Sequence, residues 1–310
     1  MEKVDFRTGF VAILGRPNVG KSTLLNKVIE NKISIISPIP QTTRHQIRGI
    51  LNLKDAQIVF VDTPGIHSFK DNLSAHLNTI AKKTLSGCDL ILYVVDTSRG
   101  IGKEEEVITN ILVTQEIKTI MVLNKIDLGE KFLNDYINFW EAKKNEKQIK
   151  ESPLIYYLPL SAKTGKNIDN LKDLIVDNLP AGHPFYDTDT ITDFPLKFRI
   201  SDIVREKLFL QLRNELPHSL AVEVEDIQEK ETRRKEAITH IKVNIYVSRE
   251  SQRKIVIGKA GAILKETGSA SRQEIEKIVG RKVFLNILVK VLKGWQESPR
   301  ILKELGYWKA

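Results

Sequence analysis

The chain has 310 residues, 41% of them hydrophobic, which suits two cored domains better than one. No run approaches the ~18 apolar residues of a membrane span. The mixed-charge start MEKVDFRTGF lacks the apolar core of a signal peptide, and the single cysteine, Cys88, excludes an internal disulfide or a cysteine-based metal site, so a cytoplasmic location is the natural expectation. The net charge of +9 is uneven, because residues 239–310 hold 15 Lys+Arg against 6 Asp+Glu; that basic end favours an anionic partner, either nucleic acid or an anionic membrane surface.

The first elements alternate. GFVAILG (9–15) predicts a short apolar strand, and a helix follows from about Gly20 to Glu30. IRGILNL and AQIVFVD predict adjacent strands, and LSAHLNTIAKKTLSG a helix. DLILYVVD predicts a buried strand, with Cys88 just before it as a small buried residue. A helix from about Lys103 to Thr114, the strand TIMVLN, a helix from about Glu130 to Lys143, the strand LIYYLPL and the amphipathic helix NIDNLKDLIVDNL complete the series. Helix and strand in turn imply an α/β fold with a mostly parallel, doubly wound sheet covered on both faces.

LPAGHPFYDTDTITDFP carries three prolines, several threonines and acids, and reads as a linker or looping connection. After it the order changes to that of an α+β domain. LKFRISDIVREKLFLQLRNEL predicts a long amphipathic helix, while HSLAVEVEDIQEK and ITHIKVNIYVS alternate as half-exposed antiparallel strands do. VIGKAGAILKETG passes through a glycine turn into a helix, which SRQEIEKIVG continues. KVFLNILVKV is a last strand, and ESPRILKELGYW a short terminal helix.

GRPNVGKS matches the phosphate-binding loop, after a strand and at a helix start, as that motif requires. The candidate nucleotide contacts are Gly15, Arg16, Pro17, Asn18, Val19, Gly20, Lys21, Ser22 and Thr23. Gly15 and Gly20 allow a tight wrap whose amides point at phosphates, at the positive end of the helix dipole. Lys21 reaches the β- and γ-phosphates, and the Ser22 hydroxyl binds Mg²⁺. NKID (Asn124, Lys125, Ile126, Asp127) ends another strand on the same sheet edge. An ionised Asp127 accepts from the guanine N1–H and 2-amino group together; adenine offers no such pair. Asn124 holds the loop and the base edge, and the Lys125 stem covers a face of the ring. In SAK (Ser161, Ala162, Lys163), an amide near Ala162 serves the guanine 6-oxo group.

Four motifs in this order, GRPNVGKS, a threonine-bearing loop, DTPG and NKID, resemble the translation-factor-like P-loop GTPases. The resemblance implies a GTP/GDP site completed by Asp62, Thr63, Pro64, Gly65 and Ile66. Asp62 would hold Mg²⁺ through water, and the Gly65 amide would contact the γ-phosphate. The first switch would lie between about Asn31 and Arg48, with Thr42 and Thr43 as candidate metal ligands. Thr43 is favoured, because Thr-Arg here resembles the switch of related GTPases. The metal set is then Ser22, Thr43 and Asp62, and the catalytic set Lys21, Thr43, Gly65 and Asn18. Arg44 reads as a catalytic arginine or as a structural or RNA-facing one. His45 and His67 read as polar loop residues rather than general bases. Ile66 stands where Ras-type enzymes use a glutamine to orient water. Either Asn18 replaces it, by helping to hold K⁺ as in some relatives, or a partner supplies a group in trans. Ile66 therefore implies a slow enzyme when alone, suited to a timer.

VIGKAG (256–261) holds a Gly-x-x-Gly loop with Lys259 and Ala260 at its tip, and with the element order it resembles a type II KH domain. That resemblance implies an RNA site made of Ile257, Gly258, Lys259, Ala260, Gly261 and Lys265, with Ile255, Ile257 and Ile263 as an apolar wall for bases. The two blocks together set a GTPase domain at 1–180, a linker at 181–195, and a KH domain with its tail at 196–310. This order resembles the bacterial ribosome-assembly GTPases that carry a C-terminal KH domain. The resemblance implies binding near the 3′ end of small-subunit ribosomal RNA, action on the pre-30S subunit, a monomer, and peripheral contact with the inner membrane. Two other functional classes fit the sequence less well. A lipid-docked signalling switch lacks a lipidation signal, since Glu2 follows the initiator Met. A small-molecule kinase would share the phosphate loop but has no use for NKID.

Overall fold

The computed structural model describes residues 6–36, 47–62, 85, 87–113, 116–212, 219–231 and 237–307. Thr42, Thr43, Arg44, His45, Thr63, Pro64, Gly65, Ile66, His67 and most of the helix expected over LSAHLNTIAKKTLSG lie outside the described residues. The chain divides into two compact units, the bulk of the first lying before Phe194 and the bulk of the second after Asp193.

The first unit is built on a six-stranded sheet. Its strands are β1 (Arg7–Leu14), β2 (Ile47–Asn52), β3 (Ala56–Asp62), β4 (Leu90–Asp96), β5 (Thr119–Asn124) and β6 (Leu154–Pro159). The spatial order is β2-β3-β1-β4-β5-β6, with β2 antiparallel to β3 and the rest parallel. Strands β3, β4 and β5 are buried at every position, as continuous apolar runs in a parallel sheet must be. Among the described residues four α-helices accompany it: α1 (Lys21–Ile29), α2 (Lys103–Leu112), α3 (Leu133–Glu146) and α4 (Ile168–Asn178). The core under α2 and α3 packs Tyr93, Ile108, Leu112, Met121, Tyr136 and Trp140. Cys88 is half-buried against it, and burial pushes its thiol up to about 12.

The carboxyl ends of β3, β4 and β5 carry Asp62, Asp96 and Asn124, and Asp96 pairs with Asn124 in register. Doubly wound sheets bind ligands at this edge. The stretch 181–195, read from sequence as a linker, is pinned along most of its length to the opposite side of the unit's β2 strand. The Ile50 amide donates to Ile191 O at 2.9 Å, Thr192 Oγ1 donates to Arg48 O at 2.6 Å, and Arg48 pairs with Asp193 at 2.9 Å. Gln57, fully buried, accepts from the amides of Phe185 and Tyr186 and donates to Tyr186 O. The proline-rich strap thereby covers an otherwise open strand edge.

The second unit has α5 (Leu196–Gln211), β7 (Leu220–Glu231), β8 (Ala237–Val247), α6 (Glu250–Ile257), α7 (Ala262–Val279), β9 (Lys282–Val291) and α8 (Pro299–Glu304). The sheet runs β7-β8-β9, antiparallel then parallel. One face packs against α5, α6 and α7 through Val204, Leu208, Ile241, Val243, Val256 and Ile275. This is the α-β-β-α-α-β order of a type II KH domain. Sequence periodicity predicts α5 as amphipathic, yet its charged side is buried too. Asp202 and Arg205 pair at 2.8 Å, and Arg205 donates to Tyr307 Oη at 3.2 Å. The tail supplies that cover, with Trp295 and Tyr307 both buried and Trp295 Nε1 donating to Ser219 O.

Candidate functional site

The phosphate loop joins β1 to α1. Gly20 has φ +100, and a Cβ there would meet the Asn124 side-chain nitrogen, so only glycine lets the loop approach the NKID turn. Lys21 is 7% exposed, and its ammonium donates to Gly15 O and Arg16 O, each at 2.9 Å. Burial pushes that ammonium down to about 8, against the pull of Asp62. Ser22 Oγ donates to Asp62 Oδ2 at 3.0 Å. Burial raises the Asp62 carboxyl, opposed by Lys21 and by hydrogen bonds from Ser34 and Ser22.

Asp62 is fully buried, and its Oδ1 has no hydrogen-bond partner among the described residues. A buried carboxylate oxygen left open beside a serine hydroxyl is a hard-oxygen donor set, and it fits Mg²⁺. Among the described residues there is no cluster of three or more His, Cys, Asp or Glu, so an ion here would draw its other oxygens from nucleotide and water.

Asn124 ties the two halves of the site. Its Nδ2 donates to Val19 O at 2.8 Å, and its Oδ1 accepts from the Ala162 amide at 3.0 Å. That amide, assigned from sequence to the guanine 6-oxo group, can serve it only by sharing this bond. Asp127 is exposed, and its Oδ1 accepts from Ser161 Oγ at 2.6 Å. A carboxylate fixed at one oxygen and open to a ligand suits bidentate reading of the base. Lys163 is exposed beside it.

Sequence reasoning missed two partners. Asp96 holds Lys125 at 2.7 Å, and the signal was an acid closing an apolar run at the ligand edge. Glu105, 1% exposed, binds Arg16 Nε at 2.7 Å and caps Gly102 N at 2.9 Å. The Arg16 side chain also donates to Gly100 O and Tyr136 Oη. It therefore anchors the phosphate loop sideways, which leaves only the Arg16 backbone to face a ligand in the loop.

In the second unit, α6 ends at Gly258 and α7 begins after Gly261. Gly258 has φ +77, and a Cβ would lie 2.9 Å from Ile263 N, so this glycine is required. Lys259 and Ala260 are exposed at the tip. Beside the loop lies a groove of ≈ 550 Å³ between α7 and the edge strand β9. Leu264, Gly268, Leu285 and Ile287 line it, with Lys265, Ser269 and Arg272 along one helix face. An apolar groove with a basic rim suits single-stranded RNA. Ile255, Ile257 and Ile263 do not form its wall. Ile257 and Ile263 pack on the core, as Leu264, Leu285 and Ile287 of the lining also do, and Ile255 is exposed. Arg272 escaped the sequence reading, although its i+7 spacing from Lys265 marks a shared face.

Comparison with known proteins adds three findings. A family model described as 50S ribosome-binding GTPase matches residues 10–125, and a KH domain model matches residues 215–296. The chain is 44% identical over 303 residues to GTPase Era of Caldanaerobacter subterraneus subsp. tengcongensis, covering 97% of this chain and 98% of that protein. It is 43% identical to GTPase Era of Geobacter metallireducens, covering 99% and 100%. Among solved structures, Era in complex with MgGDPNP and nucleotides 1506–1542 of 16S ribosomal RNA superposes with a TM-score of 0.89 at 39% identity, covering 97% and 99%. A variant of Aquifex aeolicus Era bound to GDP·AlF4⁻ gives 0.88 at 40% identity, covering the same shares.

Proposed function

The chain belongs to the Era family of GTPases, and from that premise we propose that its nucleotide state times its hold on small-subunit ribosomal RNA. The protein binds GTP and hydrolyses it with water to GDP and phosphate. Its KH domain binds ribosomal RNA, and it acts in assembly of the small subunit. The observation that carries the reading is Asn124, which fastens the phosphate loop to the base-reading loop at one sheet edge.

Asp127 reads guanine, and Lys21 turns from Gly15 O and Arg16 O to the phosphates. Backbone amides of the phosphate loop, at the start of α1, stabilise charge on the transferring group. Ser22, Asp62 and Thr43 would hold Mg²⁺, which supplies positive charge to the β- and γ-phosphates. Gly65 senses the γ-phosphate, and loss of that contact on hydrolysis releases the switch loop. Ile66 cannot orient water, so turnover is slow until a partner group or K⁺ near Asn18 assists; the rate of wild type and Asn18→Ala in K⁺ against Na⁺ decides between these.

The RNA lies along the groove between α7 and β9, with its backbone against Gly258, Lys259, Ala260 and Gly261 and a phosphate on Lys265. The RNA segment is the 3′ end of the small-subunit ribosomal RNA, and the particle is the pre-30S subunit. The protein works in the cytoplasm as a monomer, and its basic end touches the anionic inner membrane peripherally. Among the described residues no helix is long and apolar enough to cross a membrane. Crosslinking followed by sequencing of the bound RNA tests the assignment, and recovery of RNA without that 3′ end would sink it. Liposome flotation at matched salt tests the membrane contact.

A further inference from the structure

Ser34 lies near the start of the stretch expected to form the first switch, yet it is 1% exposed and touches the Asp62 carboxylate. Asn26 of α1 clamps it there. Asn26 Oδ1 accepts from the amides of Ile33 at 3.0 Å and Ser34 at 2.9 Å, and its Nδ2 donates to Ser34 O at 2.7 Å. So held, Ser34 Oγ donates to Asp62 Oδ2 at 3.0 Å. The same oxygen accepts from Ser22 at 3.0 Å, while Oδ1 of that carboxylate has no hydrogen-bond partner among the described residues. Two hydroxyls on one oxygen fix the carboxylate plane and leave the second oxygen for another ligand.

We propose that Ser34 is a positioning residue of the magnesium site: with Asn26 behind it, Ser34 pins Asp62 through Oδ2 so that Oδ1 is presented to the water shell of the bound magnesium nucleotide. Asn26 and Ser22 both lie on α1, whose N-terminus carries the phosphate loop, and the carboxylate that Ser34 and Ser22 address closes β3. Loss of the Ser34 hydroxyl frees Asp62 to turn and weakens the metal-dependent part of nucleotide retention. The phosphate and base contacts, which need no metal, are untouched.

The proposal rests on the GTPase reading, and release of a fluorescent GDP analogue in Mg²⁺ and in EDTA separates the two. Wild type must release more slowly in Mg²⁺ than in EDTA; equal rates would remove the metal site and this proposal with it. Ser34→Ala speeds release in Mg²⁺ by about tenfold, the scale of one hydrogen bond to a charged group, and leaves the EDTA rate unchanged. Asn26→Ala has the same magnesium-specific effect, and the double variant is no faster than either single one, since both act through one contact. A role confined to loop packing would speed release in both conditions. That outcome, or an unchanged rate for Ser34→Ala in Mg²⁺ beside a normal wild type, overturns the assignment.

Discussion

The Lys125 ammonium lies 2.7 Å from Asp96 Oδ2 and donates at 2.7 Å to the Asn18 carbonyl. Lys125 leaves a left-handed backbone position, φ +67, and Asp96 is 1% exposed at the end of β4. One cation thus joins the base-reading turn to the phosphate loop, and one carboxylate aims that cation. Burial alone would raise the Asp96 carboxyl. Hydrogen bonds from Lys125 and Ser98, with the Lys125 charge, carry it below its ordinary range instead, so that carboxyl is ionised at neutral pH.

Asp96→Asn removes that charge and keeps the shape. Lys125 then retains Asn18 alone, and the loop tie loosens by about 1–2 kcal/mol, since the lysine is partly solvated. Affinity for GDP should fall about tenfold, with most of the loss in the release rate. Calorimetry on the whole chain reads it, and RNA affinity serves as the unaffected reference. Unchanged GDP affinity would show that Lys125 keeps its place without Asp96.

Asp127→Asn exchanges a pure acceptor for a side chain that both donates and accepts. Guanine then loses its matched pair, and binding should weaken by about 2–3 kcal/mol, or roughly 30- to 150-fold. Xanthine carries an oxo group where guanine has an amine, so xanthosine diphosphate should bind better to the variant than GDP does. Competition between the two nucleotides gives the ratio directly. A variant that still prefers GDP would take base reading away from Asp127.

Lys21 predicts the response to pH. In the nucleotide-free chain it is charged below about 8 and loses its proton above. Incoming phosphates favour the charged form, so binding should take up a proton above that point, and affinity should be flat below it and fall beyond. Stability of the nucleotide-free chain runs the other way. The folded pKa lies under the ordinary 10.5, so the unfolded chain binds more protons between about 8 and 10.5, and stability rises with pH across that window. Calorimetry in buffers of different ionisation heat measures the uptake. Guanosine, which brings no phosphate, should show none, and equal uptake with guanosine would clear Lys21 of responsibility.

The phosphate loop, NKID and the KH order were legible because each is local. A strand, a glycine turn and a helix lie together in sequence, and their chemistry follows from residue type. The partners that hold them were not legible, because they come from distant strands. Asp96 meets Lys125 across 29 residues, and Glu105 meets Arg16 across 89. The strap at 181–193 was hidden for another reason. Its proline, Pro184, and its threonines signal irregular backbone but not which edge that backbone covers. The groove's lining was not legible either, since hydrophobic residues flanking a glycine loop can face the groove, the core or both. Leu264, Leu285 and Ile287, which line the groove, pack on the core just as Ile257 and Ile263 do.

The glycine loop of the KH unit offers a test that leaves the fold alone. Lys259 and Ala260 are exposed, and Ala260 sits at φ +51, a left-handed position that Asp tolerates better than Ala. Lys259→Asp with Ala260→Asp should therefore not lower thermal stability. It does place two negative charges where an RNA backbone must pass closest to the chain. Affinity for a single-stranded 16S 3′-end RNA should fall at least a hundredfold, while GTP hydrolysis without RNA stays at the wild-type rate. Salt dependence adds a second reading. Lys265→Ala on the groove rim removes one phosphate contact, so the slope of log K against log salt should drop by about 0.7 while the preference between RNA sequences survives. Filter binding across a salt series measures both variants. If the double aspartate variant binds RNA as wild type does, the loop is a helix start and nothing more, and the basic end of the chain must meet its partner elsewhere.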